Sequence, residues 1–326
     1  MTLPNDATFE RLRPLGWQSF FQDQLSEGDI ALSPLRIDAV HRGRLTGLSE
    51  QGQFQIELPP RSDTAEYAVG DWILADPVTG MLSRRLDRKA LLQRPGDGQR
   101  PTQLVAANVD TLFIVGSCNA DFNLARLERY LVFANDAGTE PVIVLTKADM
   151  AEDAGDYQRQ AAALQRGLAV VLINARAQAA VDTLKPWCGA GATVALVGSS
   201  GVGKSTLVNT LVGNGGAKLQ QTGGVREGDS KGRHTTTSRS LHAMTGGGWV
   251  IDTPGVRSLH LKDVGVGLDI LFAEISELAP QCKFRNCTHD HEPGCAVRAA
   301  VAAGTLDPGR LDRWRKLQTE SRGGAK

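Results

Sequence analysis

Between residues 101 and 262 the apolar positions fall into short, nearly solid runs separated by stretches in which they recur at helical spacing. The runs 111–115, 141–145, 169–173 and 193–197 read as strands buried on both faces, and a further strand ends at 249–251. Segment 123–133 carries its apolar residues on one helical face, and a polar helix is expected over about 151–166. Such alternation predicts a parallel sheet covered by helices on both faces, with ligands gathering at the carboxyl ends of the strands. From about 35 to 94 the texture differs. Short alternating runs at 37–45, 54–58, 69–74 and 81–86, separated by turns bearing glycine or proline, predict a small antiparallel β-barrel of about five strands. Trp72 and Phe54 sit in these runs and are expected in its core, base stacking being the other role open to them. Ahead of the barrel, Leu12, Leu15, Trp17, Phe20, Phe21 and Leu25 suit a short amphipathic arm packed on the body. The fold class expected is multidomain, with an N-terminal extension (1–34), the barrel (35–100), an α/β domain (101–262) and a small α-rich, metal-binding domain (263–326).

The run 193–197 leads into Gly198, Ser199, Ser200, Gly201, Val202, Gly203, Lys204 and Ser205, the spacing of a phosphate-binding loop, and then into a helical stretch through Thr206 and Leu211. Glycines let the backbone turn its N–H groups inward, the helix N-terminus adds partial positive charge, and Lys204 supplies a full charge for the β- and γ-phosphates. Ser205 offers its hydroxyl to Mg²⁺. The strand at 141–145 runs into Thr146, Lys147, Ala148 and Asp149, and the next strand into Asn174 and Ala175. A carboxylate at Asp149 can accept from both N1–H and the exocyclic amine of guanine, a pair that adenine does not offer, so the expected ligand is GTP. The stem of Lys147 would lie over the purine, and the Ala175 N–H would reach O6.

The long glycine-rich stretch 213–237 is expected to order around a γ-phosphate, with Thr236 as the second Mg²⁺ ligand and Thr235 or Thr237 as neighbouring alternatives. Asp252 would hold Mg²⁺ through water, and the Gly255 N–H would sense the γ-phosphate. Many GTPases place glutamine after that glycine; Val256 stands here and cannot orient water. His234 is the candidate catalytic group, a loop histidine without such a role being the alternative.

Charge excludes little: 36 Lys and Arg balance 36 Asp and Glu. Locally, Arg36, Arg42, Arg44, Arg84, Arg85, Arg88, Lys89, Arg94 and Arg100 make the ends of the barrel basic, which suits either an RNA reader or a solvated face. Arg298, Arg310, Arg313, Arg315, Lys316 and Arg322 pose the same choice near the C-terminus. With no membrane-length apolar run and no basic-then-apolar leader, the expected location is the cytoplasm, with no membrane partner. Of five cysteines, Cys282, Cys287 and Cys295 cluster around His289 and His291. Three thiolates and one imidazole are the complement of a closed, structural Zn²⁺ site, one per chain.

The order of these motifs is unusual, because the guanine-reading residues precede the phosphate loop, which amounts to circular permutation of a GTPase. With the stretches Asp-Phe-Asn-Leu-Ala-Arg-Leu-Glu-Arg-Tyr at 121–130, Gly-Arg-His-Thr-Thr-Thr at 232–237 and Cys-Lys-Phe-Arg-Asn-Cys-Thr-His at 282–289, the chain closely resembles the bacterial ribosome small subunit-dependent GTPase A family. The resemblance implies an OB-fold barrel, a permuted P-loop GTPase domain and a zinc domain with His289 as the fourth ligand. It further implies a monomer acting on the 30S subunit and its 16S rRNA in late maturation, with GTP hydrolysis to GDP stimulated by that subunit. A nucleotide-gated rRNA-binding module whose hydrolysis is incidental is the alternative. Thr146 stands where many GTPases have asparagine, and Asn174 where serine is common before Ala175.

Overall fold

Alternation of side chains along the central strands sets the layering. The computed structural model describes residues 6–41, 43–96, 101–213, 239–252 and 261–323. An arm containing α1 (Asp6–Leu12) and α2 (Ser19–Gln22) precedes the barrel strands β1 (Ser33–His41), β2 (Arg44–Ser49), β3 (Gly52–Ile56), β4 (Trp72–Ala75) and β5 (Leu82–Arg85). A hairpin of β6 (Leu91–Arg94) and β7 (Gln103–Ala107) leads to β8 (Thr111–Ser117), α3 (Leu124–Asp136), β9 (Glu140–Thr146), α4 (Ala154–Ala162), β10 (Ala169–Leu172) and α5 (Ala179–Leu184). Then follow β11 (Thr193–Val197), α6 (Lys204–Val212), β12 (Ser240–Ala243) and β13 (Trp249–Asp252), and finally α7 (Gly265–Leu271), α8 (Ala273–Leu278), α9 (Ala296–Ala302) and α10 (Pro308–Ser321).

Strands β10, β9, β8, β11 and β13 lie side by side and parallel, with β12 antiparallel beside β13. Leu112 and Ile114 of β8 face α3 and the C-terminal helices, whereas Phe113 and Val115 face α5 and α6. Both faces are therefore buried, as the solid apolar runs require. The apolar layer under α3 continues without a break into Leu268, Leu271, Leu311 and Trp314, so the C-terminal helices share that core. At the other edge, β12 pairs with β1 through Ser240 and Ala39, joining the barrel to the same sheet. The expected boundary at 100/101 falls in the connection of the β6–β7 hairpin. No helix among the described residues is long and apolar enough to cross a membrane.

Two details of the barrel differ from expectation. The run 37–45 is two strands, because Gly43 at φ +74° turns the chain between His41 and Arg44, which pair. Phe54 is 41% exposed although Trp72 is 1% exposed. Phe54 lies on the terminal strand of the sheet path opposite Gly47, which offers no side chain to cover the ring. Trp72 instead is packed by the arm, edge-on to Trp17 at 4.8 Å.

The barrel's basic residues are largely engaged inside the protein. Arg36 is 1% exposed and donates to Leu15 O in the arm and Thr193 Oγ1 on β11, and burial pulls its pKa down to about 10. Arg84 pairs with Asp29, Arg88 with fully buried Asp71, and Lys89 with Asp110. These four are structural cations, whereas Arg44 is exposed and Arg85 and Arg94 are half-buried. Arg42 and Arg100 lie outside the described residues.

Candidate nucleotide site and metal centre

Parallel pairing brings the ends of β8, β9 and β11 together, with Ser117 beside Thr146 and Ile114 beside Val197. The phosphate loop leaves β11 at Gly198, where φ is +145° and a Cβ would stand 2.3 Å from Val115 O. A side chain there would drive the loop off its strand, so glycine is required. Gly203 at φ +99° caps α6, and Ser205 and Thr206 are half-buried in its first turn. Ser200 and Gly201 form the exposed tip, while Val202 is buried beneath it. Lys204 Nζ donates to Gly198 O at 2.8 Å and to Ser199 O, placing the ammonium inside the loop.

Thr146 Oγ1 lies 2.6 Å from Val202 O and 3.1 Å from Gly116 O. Its one proton goes to the nearer carbonyl, stitching the end of β9 to the phosphate loop. The chain then turns at Lys147 (φ +57°), leaving Asp149 exposed. Asn174 Nδ2 donates to Asp149 Oδ2 at 2.9 Å, while Asn174 Oδ1 accepts from Arg176 N at 3.0 Å, which fixes the amide orientation. Thr210 Oγ1 donates to Ala175 O at 2.7 Å, tying this loop to α6. Thr146, Lys147, Asp149, Asn174 and Ala175 are thus gathered beside the phosphate loop.

Asp252 ends β13 opposite Ser240, one strand away from β11. His234, Thr236 and Gly255 lie outside the described residues, as do Thr235 and Thr237. One contact was not expected from the sequence: Arg126, in the first turn of α3, donates from Nη1 to Ser199 Oγ in the phosphate loop.

In the C-terminal region, one ligand atom from each of Cys282, Cys287, His289 and Cys295 lies within 4.8 Å of all the others. Cys282 Sγ is 3.9 Å from Cys295 Sγ, and His289 Nδ1 is 3.5 and 3.4 Å from these two sulfurs. Bond lengths of about 2.3 Å to sulfur and 2.0 Å to nitrogen give a tetrahedron with edges of roughly 3.8 and 3.5 Å, so the donor set fits Zn²⁺. The N–H groups of Ala296 and Arg298 point at Cys282 and Cys295 sulfurs, contacts that support thiolate charge. His289 is 4% exposed and reaches inward from φ +60°, whereas the His291 side chain is 83% exposed and pairs with Asp290. Glu292 fixes that turn by accepting from the N–H groups of Thr288, Asp290 and His291, bonds to Thr288 above all holding its carboxyl well below the usual range.

Residues 85–262 match the family described as RsgA GTPase. Over 97% of its length the chain is 64% identical to 91% of the small ribosomal subunit biogenesis GTPase RsgA of Mesorhizobium japonicum. It is 48% identical, over 95% of this chain and 87% of the relative, to the small ribosomal subunit biogenesis GTPase RsgA 2 of Vibrio vulnificus. Among solved structures it is similar to YjeQ from Thermotoga maritima, with a TM-score of 0.66 and 27% identity over 88% of this chain and 97% of that one. YloQ, described as a circularly permuted GTPase, gives 0.63 and 26% over 91% and 97%.

Proposed function

Because this chain belongs to the RsgA GTPase family, we propose that it hydrolyses GTP as a late maturation factor of the small ribosomal subunit, its turnover stimulated by the 30S particle. The observation that carries the reading is the Thr146 hydroxyl bond to Val202 O at 2.6 Å, which holds the guanine-reading strand end against the phosphate loop. Loop 198–203 wraps the phosphates with backbone N–H groups, and Lys204 turns from its own carbonyls to the β- and γ-phosphates. Asp149, aimed by Asn174, selects guanine. Ser205, and Thr236 from the switch, are the Mg²⁺ ligands among the side chains, with Asp252 holding a bound water. Bound there, Mg²⁺ would supply charge neutralisation to the phosphates. Gly255 senses the γ-phosphate, and His234 positions the attacking water.

The zinc site is structural, since four protein donors leave no open position. 16S rRNA is the proposed contact of the barrel, where Phe54 offers an uncovered ring for base stacking. The protein acts as a cytoplasmic monomer. GTP turnover by the purified protein, with and without 30S subunits and with ATP and 50S subunits as controls, tests the reading. Selective stimulation by 30S is expected; GTP binding without any response to 30S would overturn the subunit-dependent part and leave the guanine site standing.

A further inference from the structure

Strand β12 carries a serine and a histidine beside the nucleotide edge of the sheet. Ser240 Oγ and His242 Nε2 lie 2.7 Å apart, and both residues are half-buried. Pairing with β13 fixes the side of the sheet they take. Leu241 pairs with Ile251, and both belong to the apolar layer under α3. His242 pairs with Val250, which packs in the other layer with Leu207 and Val208 of α6, and Ser240 pairs with Asp252 in the same phase. Ser240, His242 and Asp252 therefore share the face that α6 covers, and α6 carries Ser205 in its first turn. Directly opposed residues hold their Cβ atoms about 5 Å apart, which lets a hydroxyl reach a carboxylate.

Burial holds the His242 imidazole below its ordinary value, although Asp252 and, after it, Asp38 pull the other way. The ring is thus neutral at pH 7, with one nitrogen donating and the other accepting. A serine hydroxyl has a single proton. Given to Nε2, that proton would leave the Ser240 lone pairs facing the Asp252 charge. With Nε2–H donating to Oγ instead, the hydroxyl proton turns to the carboxylate opposite, so the electrostatics favour the second arrangement. We infer that His242 is a positioning residue of the nucleotide site: through Ser240 it holds the Asp252 carboxylate in the orientation that receives Mg²⁺-bound water. The inference rests on the GTP reading above, in which Asp252 has that role.

Binding of GDP and of a non-hydrolysable GTP analogue to the full chain, measured by calorimetry in chelator and across a series of Mg²⁺ concentrations, tests it. His242→Ala is expected to raise the Mg²⁺ concentration needed for tight analogue binding about tenfold, while affinity in chelator stays within about twofold, since groups that orient metal ligands act on metal affinity. His242→Gln, whose amide can still donate to Ser240, is expected to recover part of the loss. Ser240→Ala is expected to match His242→Ala, and the double variant to lose no more than either. An unchanged Mg²⁺ dependence in His242→Ala would overturn the inference. So would an equal loss with and without Mg²⁺, the signature of a general brace, or additive losses in the double variant. A thermal melt accompanies each variant, and if His242→Ala fails to fold, Ser240→Ala, which removes one oxygen, decides the matter by the same readings. A wild-type protein that binds neither nucleotide would overturn the GTP reading itself.

Discussion

In the barrel, Arg84 meets Asp29 at 2.8 Å and Arg88 meets Asp71 at 2.6 Å, each cation with its own carboxylate from the barrel or the arm. In the C-terminal helix, Arg310 and Arg313 converge on one carboxylate, Glu128 of α3, at 3.0 and 2.8 Å. Arg310 also meets Glu274 at 2.6 Å, donates to Leu164 O and Leu271 O, and lies over the Phe272 ring at 4.1 Å. These two pairs close the barrel and its arm locally, and each can fail alone, while Lys89 with Asp110 and Arg36 with Thr193 tie the barrel to the sheet. The C-terminal region is tied to the nucleotide-binding sheet through a shared buried charge, so its position depends on the helix that also presents Arg126 to the phosphate loop. A change felt at that loop has a direct mechanical route to α10.

Metal removal should divide the two regions most sharply. Binding of a structural zinc contributes on the order of 10 kcal/mol to the fold of a small domain, well above what the Glu292 bonds alone can supply to the turn holding His289 at φ +60°. Stripping zinc with a chelator is expected to abolish amide protection across 282–302 while the barrel strands retain theirs, as read by hydrogen exchange. Equal loss in both regions would show that they unfold as one unit. Next in size is Glu128→Ala, which leaves two arginines, one of them 9% exposed, without their common partner. An uncompensated buried charge costs about 3–5 kcal/mol. Arg310 keeps Glu274 at 2.6 Å, so the expectation is a loss within that range and not beyond it, accompanied by weakened protection in α10. Arg88→Ala strands only Asp71 and is expected to cost about 3 kcal/mol, confined to the barrel. If Arg88→Ala disturbed α10 as much as Glu128→Ala does, the contrast between the regions would fail.

What the sequence made legible was whatever lies close in the chain. The phosphate loop sits in eight consecutive residues, the metal ligands fall within 282–295, and each solid apolar run became a strand of the parallel sheet. Partners of charged residues were not legible, because they come from afar: Arg36 reaches Thr193 across 157 positions, Arg310 reaches Glu128 across 182, and Trp249 Nε1 reaches Pro14 O across 235. Composition shows how many arginines there are and leaves open whether tertiary structure turns a carboxylate toward them. Phe54 failed for a related reason, since alternation marks which side of a strand a residue takes but not whether anything covers it. His289 and His291 differ by two positions and share a phase, and only the left-handed turn pinned by Glu292 separates the buried imidazole from the exposed one.

The smallest effect is expected from the pair Arg166 and Glu277, which spans the same two regions as Arg310 and Glu128 but on the surface. Its separation is 3.0 Å, no longer than that of Arg310 and Glu128, yet the side chains are 74% and 60% exposed against 9% and 1%. Glu277 raises the Arg166 pKa chiefly by a side-chain hydrogen bond. Raising a value already far above neutrality leaves the guanidinium charged in both folded and unfolded chains at pH 7, so no stability is lost or gained there by titration. Water solvates both groups once they separate, and holding two long side chains together opposes the attraction. Arg166→Ala is therefore expected to leave the melting temperature and the exchange pattern of α10 unchanged, at low salt and at high. A drop in melting temperature comparable to that of Glu128→Ala would mean that proximity alone ties the C-terminal helices to the sheet. The burial of Glu128 would then lose its place in the argument.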